Sequence, residues 1–154
     1  MHFVRTILPR MLHEFALDER LAAESHQLGD LTLCCVLLFD DARFPWIVLV
    51  PRKAGLVEIT DLTSADRHLL LDEVGAAMDV LKAATDPYKL NVAALGNSVR
   101  QLHVHVIARF PDDAAWPSPV WGRGEREPYQ EAALDQQVMK LRKGFGFDGN
   151  GKLR

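Results

Sequence analysis

Two cysteines, Cys34 and Cys35, are all that the 154 residues contain. Neighbouring residues in a strand point to opposite faces, so a bridge between them would be strained. No Cys-x-x-Cys spacing exists, which excludes thiolate zinc sites and thioredoxin-type chemistry. Two reduced thiols fit a cytoplasmic protein. An excess of one charge is also lacking: 18 Lys and Arg stand against 21 Asp and Glu, a formal net charge of −3. That balance supplies no field for nucleic acid or an anionic membrane, so any phosphate must be met by local groups. No apolar run approaches the roughly 20 residues of a bilayer span. Residues 1–15 hold two arginines but neither a continuous apolar core nor a small-residue cleavage site. They read as part of the mature domain, not as a signal peptide. Internal repeats and low-complexity tracts are absent too.

What is present is ordinary globular composition, 48% hydrophobic and 25% charged, enough for one domain with its own core. The expected organisation is a single domain over 1–154, with an N-terminal helical segment in 1–30 and a C-terminal arm and helix in 111–154. "LDERLAAESH" (17–26) has good helix formers and an acidic start, and Gly29-Asp30 breaks it. "LTLCCVLLF" (31–39) suits a buried strand, and "WIVLVPRK" (46–53) a second strand closed by Pro51; the short polar link between them predicts an antiparallel hairpin. In "LTSADRHLLLDEVGAAMDVLKAAT", Leu70, Val74, Ala77, Met78 and Leu81 recur at helical spacing. Thr63 and Asp66 form a capping arrangement, and Asp86-Pro87 ends the helix. "KLNVAAL" (89–95) reads as a strand, 96–98 as a turn and 102–108 as another strand. The Pro- and Gly-rich 111–128 is an ordered loop or arm, followed by a helix over "QEAALDQQVMKLRKGF", whose Lys140, Arg142 and Lys143 sit near its negative end. The predicted class is α+β: an antiparallel meander sheet with one long helix packed on it and a C-terminal helix.

Chemistry concentrates in "GNSVRQLHVHVIARF". Strand alternation puts Gln101, His103 and His105 on one face and Leu102, Val104 and Val106 on the other. Same-face neighbours lie roughly 7 Å apart, so two imidazoles can lean towards one small anionic group from a rigid support. One alternative is a surface strand with unemployed histidines. Another is a metal site, since His-x-His on a strand is a two-point ligand set. A metal needs further ligands, and His2, His13, His26 and His68 fall on terminal or helical segments without ligand spacing. No metal and no cofactor is therefore expected.

The same residues resemble the signature of the histidine triad (HIT) superfamily, a Gly-Gln-Ser/Thr turn followed by His-φ-His-φ-His-φ-φ. Gly96-Asn97-Ser98 takes the place of the turn, Gln101 the first triad position, His103 the middle and His105 the third. The order of hairpin, long helix, "KLNV" strand and "ARFPDD…WPSPVWG" tail is similar to that of bacterial members, from about Leu31 to Gly122. The resemblance implies a HIT-like fold and a nucleotide hydrolase or nucleotidyl transferase. The substrate would be a small-molecule nucleotide, cleaved at the α-phosphorus of a phosphoanhydride or phosphoramidate. It also implies a homodimer. His103 would be the nucleophile that forms a covalent nucleotidyl-imidazole, a role suited to a side chain whose pKa near ~6.5 keeps a neutral nitrogen available. His105 would stabilise charge or donate a proton at the phosphate or leaving group. Asn97 and Ser98 would donate hydrogen bonds there without adding net charge. The alternative is a nucleotide-binding protein with little turnover.

Three departures from the family pattern stand out. Gln101 replaces the first histidine; its side chain still donates and accepts, and the backbone carbonyl that orients the middle histidine survives any substitution. Many relatives carry Pro-x-His before the second hairpin strand, close to that first histidine. Here Trp46 or Ile47 falls in its place, which suggests a coordinated rebuild of a supporting pair. The loops are shorter, so the family asparagine on the preceding strand corresponds to Asn91, and the acidic residue that holds the ribose to Asp40 or Asp41, with Asp40 favoured. Asn91 as a backbone-bonded strand end, and Asp40 as a turn aspartate, are the plain alternatives. Trp116 and Trp121 read first as packing anchors and second as a cover for the pocket or a dimer contact. Arg109 reads as solvated.

Overall fold

The structure, a computed structural model, describes residues 14–154. The segment 1–13, with His2, His13 and most of the N-terminal stretch discussed above, lies outside the described residues. Among the described residues no helix is long and apolar enough to cross a membrane. In chain order the elements are α1 (Glu19–Ala23), β1 (Ser25–Asp30), β2 (Cys34–Phe39), β3 (Trp46–Pro51), a 3-10 turn (Ile59–Asp61), α2 (Ser64–Thr85), β4 (Lys89–Ala93), β5 (Val104–Arg109) and α3 (Glu131–Phe145). Every strand pair is antiparallel, and the sheet runs β1-β2-β3-β5-β4. Strands β2 and β3 form the expected hairpin, and β1, which the sequence does not announce, extends it into a three-stranded meander. Helix α2 then carries the chain past the place of β5, so β4 ends the sheet and β5 fills the gap beside β3.

The predicted helix over 17–26 is shorter than expected. Asp18 caps it by accepting from Arg20 N at 2.9 Å, and it stops at Ala23. The chain then enters β1, within the stretch expected to be helical. Only Leu28 marks that strand as apolar, and its pairing with β2 carries a bulge between Gln27 and Gly29. Gly29 is required there because a side-chain carbon would collide with the Gly151 carbonyl and the Phe147 ring. The strand is thus held by neighbours: Asp30 N donates to Gly151 O, and Arg142 Nε donates to Leu28 O at 2.9 Å. Arg142 therefore staples α3 to β1 besides sitting at the helix's negative end.

Helix α2 follows the sequence closely. Thr63 Oγ1 accepts from Asp66 N at 3.1 Å, and Asp86 closes it in the left-handed region at φ 46° just before Pro87. Its apolar face, with Leu70, Val74, Ala77 and Leu81, packs on Val36, Leu38, Ile47, Leu49, Val104 and Val106. Glu73 on the same face is buried, and its two carboxylate oxygens accept from Leu33 N and Cys34 N, each at 2.8 Å. A buried carboxylate is tolerated here because backbone donors satisfy it. Both cysteines are free and buried. Burial pushes the Cys35 thiol up to about 12, with the Asp30 charge adding to it, and Cys34 rises further for the same leading reason. Neither is a nucleophile at neutral pH.

The opposite sheet face has its own core of Leu37, Trp46, Val48, Val50 and Ile107, covered by Leu21 from α1 and by Ala115 and Val120 from the arm after β5. Two layers thus sandwich the sheet, helices α2 and α3 on one side and α1 with the arm on the other. Among the described residues the second layer leaves part of the sheet face uncovered, and that gap is the cleft described next.

Candidate active site

Five pieces of chain border a cleft of about 530 Å3. The histidine row supplies its floor. Although the ladder of β5 begins only at Val104, both His103 and His105 are buried and line the cleft. Their ring centroids stand 4.9 Å apart at 76°, closer than the backbone repeat, so the rings lean together as the spacing allowed. The turn before the row lies at one rim. Gly96 adopts φ 75°, a left-handed conformation that suits glycine, Val99 is buried as an anchor, and Asn97 and Ser98 are exposed on the cleft.

The two histidines are held in opposite tautomers. His103 Nδ1 lies 2.6 Å from the Gln101 carbonyl oxygen. A carbonyl only accepts, so Nδ1 carries the hydrogen and the Nε2 lone pair is left to the cleft. His105 Nδ1 lies 2.9 Å from Trp46 Nε1, which only donates. Its Nδ1 must therefore accept, and a neutral His105 carries its hydrogen on Nε2. Burial, with the neighbouring His103 imidazole adding to it, pushes His105 down to about 3, so the ring is neutral across the physiological range. The pair thus presents one lone pair and one N–H donor to the same space.

Trp46 is central to an aromatic wall. Its ring meets Phe39 at 4.3 Å, Trp121 at 5.7 Å and His105 at 5.5 Å, and Trp121 also packs edge-on against His105 at 5.2 Å. Trp121 is accordingly a cleft residue. Trp116 is not; it packs against Tyr88 and stands 5.7 Å from the Arg109 guanidinium. The expected supporting pair is also rearranged. Trp46 bonds the third triad member, while the Gln101 side chain bonds the backbone of Ala16 and Asp18 and does not line this cleft.

The acidic candidates separate as well. Asp41, not the favoured Asp40, lines the cleft, where it is chelated by Arg43 through Nε at 2.9 Å and Nη2 at 2.7 Å. Asp40 instead joins the hairpin to the C-terminal arm, accepting from Tyr129 N at 3.0 Å and Arg126 Nη1 at 3.1 Å. Asn91 accepts from Arg109 Nη1 at 2.8 Å and is not among the lining residues. Arg109 is buried, against the solvated expectation. Its guanidinium chelates Asp113 and donates to the Ser118 carbonyl. Burial raises the Asp113 carboxyl, but Arg109 and the N–H groups of Phe110 and Ala115 outweigh it and hold the group at about 2. The signal was the "RFPDDAAW" turn, in which an arginine reaches an aspartate that also caps its own loop.

Three arginines that no motif in the sequence marks reach the cleft: Arg20 from α1, Arg43 from the hairpin and Arg126 from the arm. Each is paired, with Glu24, Asp41 and Asp40 respectively. Guanidinium groups keep further donors after one carboxylate is bound, so together they can meet phosphate oxygens. Among the described residues no three of His, Cys, Asp and Glu come together as a metal cage.

Comparisons with known proteins bear on this arrangement. The family model described as HIT domain matches residues 20–112. A histidine triad protein from Bradyrhizobium japonicum is 41% identical with a TM-score of 0.84, over 86% of this chain and 99% of its own. One from Marinobacter aquaeolei VT8 is 44% identical, also at 0.84, over 86% and 97%. A hypothetical histidine triad nucleotide-binding protein from Sulfolobus tokodaii shares the fold at 14% identity, with a TM-score of 0.61 over 79% and 84%. A search of curated protein sequences finds no match. With the family model spanning more than half of the chain and two relatives above 40% identity along almost their full length, the chain belongs to the histidine triad (HIT) family.

Proposed function

We propose that this protein is a nucleotide hydrolase or nucleotidyl transferase that opens a phosphoanhydride or phosphoramidate at the α-phosphorus. The observation that carries the reading is the pair of opposed tautomers. The Gln101 carbonyl leaves His103 with a lone pair on Nε2, and Trp46 leaves neutral His105 with an N–H there. An anionic phosphate is a poor target for a nucleophile unless a donor stands beside it, and these two nitrogens supply both needs.

In the first step His103 Nε2 forms a bond to phosphorus while the bond from phosphorus to the leaving group breaks, and the leaving group departs with that electron pair. The positive charge gained by the imidazole is shared with the Gln101 carbonyl through the Nδ1 hydrogen. His105 Nε2–H donates to a phosphate oxygen; as a neutral ring it acts as a hydrogen-bond donor and not as a strong acid. In the second step a water, or another acceptor, attacks phosphorus, His103 leaves with its lone pair restored, and the acceptor's proton passes to solvent. Asn97 and Ser98, exposed at the rim, are placed to donate to the phosphate or leaving group. The aromatic wall and Asp41 offer surfaces for base and ribose. That a Sulfolobus tokodaii protein of the same fold is described as nucleotide-binding supports the substrate class. The reading includes a homodimer, supported by β4 at the end of the strand order with Tyr88 and Val92 exposed on and beside it; light scattering checks it.

The test is a panel of adenosine phosphoramidate and dinucleoside polyphosphates with mass detection of released monophosphate and of an adduct on His103. His103→Ala is expected to lower turnover by about 10^3-fold or more. Intact turnover in that variant would remove His103 as the nucleophile. Binding of a nucleoside monophosphate with no turnover on any substrate would leave a binding protein.

A further inference from the structure

Gln101 stands first in the histidine row, yet its side chain works outside the cleft. Nε2 of the carboxamide donates to the Ala16 carbonyl at 2.8 Å, and Oε1 accepts from Asp18 N at 2.9 Å. The partners lie 85 and 83 residues earlier in the chain, so the contact ties the N-terminal segment to the entry of β5. A carboxamide offers a donor and an acceptor side by side, matching the backbone groups of an extended chain. An imidazole, whose two nitrogens face apart, cannot satisfy both partners, and a carboxylate cannot donate to the carbonyl.

What the contact holds in place is a wall of the cleft. Residues 16–18 lead into α1, Asp18 caps that helix, and Arg20, Leu21 and Glu24 border the cleft. Five residues are too few for a helix to persist unaided. Leu21 packs into the same cluster as Trp46 and Val99, so displacement of α1 would open the cleft beside the aromatic wall. The main-chain oxygen of Gln101 meanwhile orients His103. One residue therefore sets the nucleophile through its backbone and a substrate-facing wall through its side chain.

We propose that Gln101 is a positioning residue for substrate recognition. Its carboxamide docks residues 16–24 against the cleft, so the side chain at the first triad place serves binding of the substrate part that faces α1, and not the attack by His103. This rests on the nucleotide reading of the cleft.

Two substitutions at the position, Gln101→His and Gln101→Glu, are compared with Leu21→Ala, which loosens the same wall from its other side. Three quantities are measured: amide exchange over residues 16–24 without ligand, KM and kcat on the substrate turned over fastest, and the Kd of a nucleoside monophosphate. All three variants are expected to exchange at least about tenfold faster over 16–24 and to raise KM and Kd about tenfold, with kcat falling less than about threefold. A large fall in kcat at constant KM in Gln101→His or Gln101→Glu, without one in Leu21→Ala, would place the side chain in the chemical step and overturn the proposal. So would unchanged exchange over 16–24. Faster exchange in the variants of a protein that neither binds nor cleaves nucleotides would sink the recognition role together with the nucleotide reading, while leaving the docking contact itself established.

Discussion

Strand β5 has two faces built on different rules. Val104, Val106 and Ala108 lie under α2 in a continuous apolar core and have no side-chain polar atom to satisfy. His103, His105 and Arg109, on the other face, are just as deeply buried at 6%, 6% and 1% exposure. There each ring Nδ1 and the guanidinium has a named partner, while the two Nε2 atoms are left to the cleft. The first face is held by area and shape, which any well-sized apolar set can provide. The second is held by directional contacts, so losing one partner strands a buried polar group. Reactivity sits on the face where partners, and not packing, decide which atoms remain free.

That contrast can be broken at measurable cost. Arg109→Ala should be the most damaging to stability, by about 3–5 kcal/mol in denaturant unfolding, because the buried Asp113 carboxylate loses its counter-charge and keeps only backbone N–H donors. A loss below about 1 kcal/mol would show that the arm relaxes and rehydrates. Leu81→Ala, on the packed side and fully buried, should cost about 3 kcal/mol through a cavity under α2, and it should leave kcat unaltered.

Acid separates the faces further. His105 is held at about 3, whereas an unfolded histidine titrates near ~6.5. Between those values the unfolded chain takes up a proton that the folded chain does not. The contribution of neutral His105 is therefore complete above about pH 6.5 and is lost as the pH falls towards 3. His105→Gln should flatten that limb of the stability curve, while Leu81→Ala should lower the whole curve without changing its slope. An unaltered slope in His105→Gln would mean that the ring is not held neutral. The smallest effect is expected of Trp46→Phe, which keeps an aromatic ring in the wall, though a smaller one, and removes the indole N–H. His105 is then free to exchange tautomers, and kcat should fall about tenfold, or ~1.4 kcal/mol. Nitrogen chemical shifts of His105 report the tautomer directly, and unchanged shifts would refute the assignment.

Elements with their own periodicity or punctuation were legible in the sequence. The long helix, its Thr63 cap and its stop at Asp86 needed no tertiary help, and the hairpin followed from two apolar runs with a short polar link. The histidine row was legible for the same reason, since alternation alone puts His103 and His105 on one face. Strand β1 was not: "SHQLGD" carries one large apolar residue, and its pairing depends on β2 and on the carbonyl of Gly151. Nor was the solvated reading of Arg109 correctable from composition, because burial of a guanidinium depends on a turn that brings Asp113 back to it.

Within the site the division is sharper. Local sequence determined which residues carry reactive nitrogen, which turn precedes them and that neither thiol chemistry nor a long-range charge field is at work. Only the folded chain decided which nitrogen of each histidine is free, because the partners come from Gln101's own backbone in one case and from a strand 59 residues away in the other. It likewise chose Asp41 over Asp40 for the cleft and sent the Gln101 side chain to the N-terminal segment. Strand alternation sets the face on which a side chain emerges. Which donor or acceptor waits there depends on contacts between residues far apart in sequence, and those exist only once the sheet has formed.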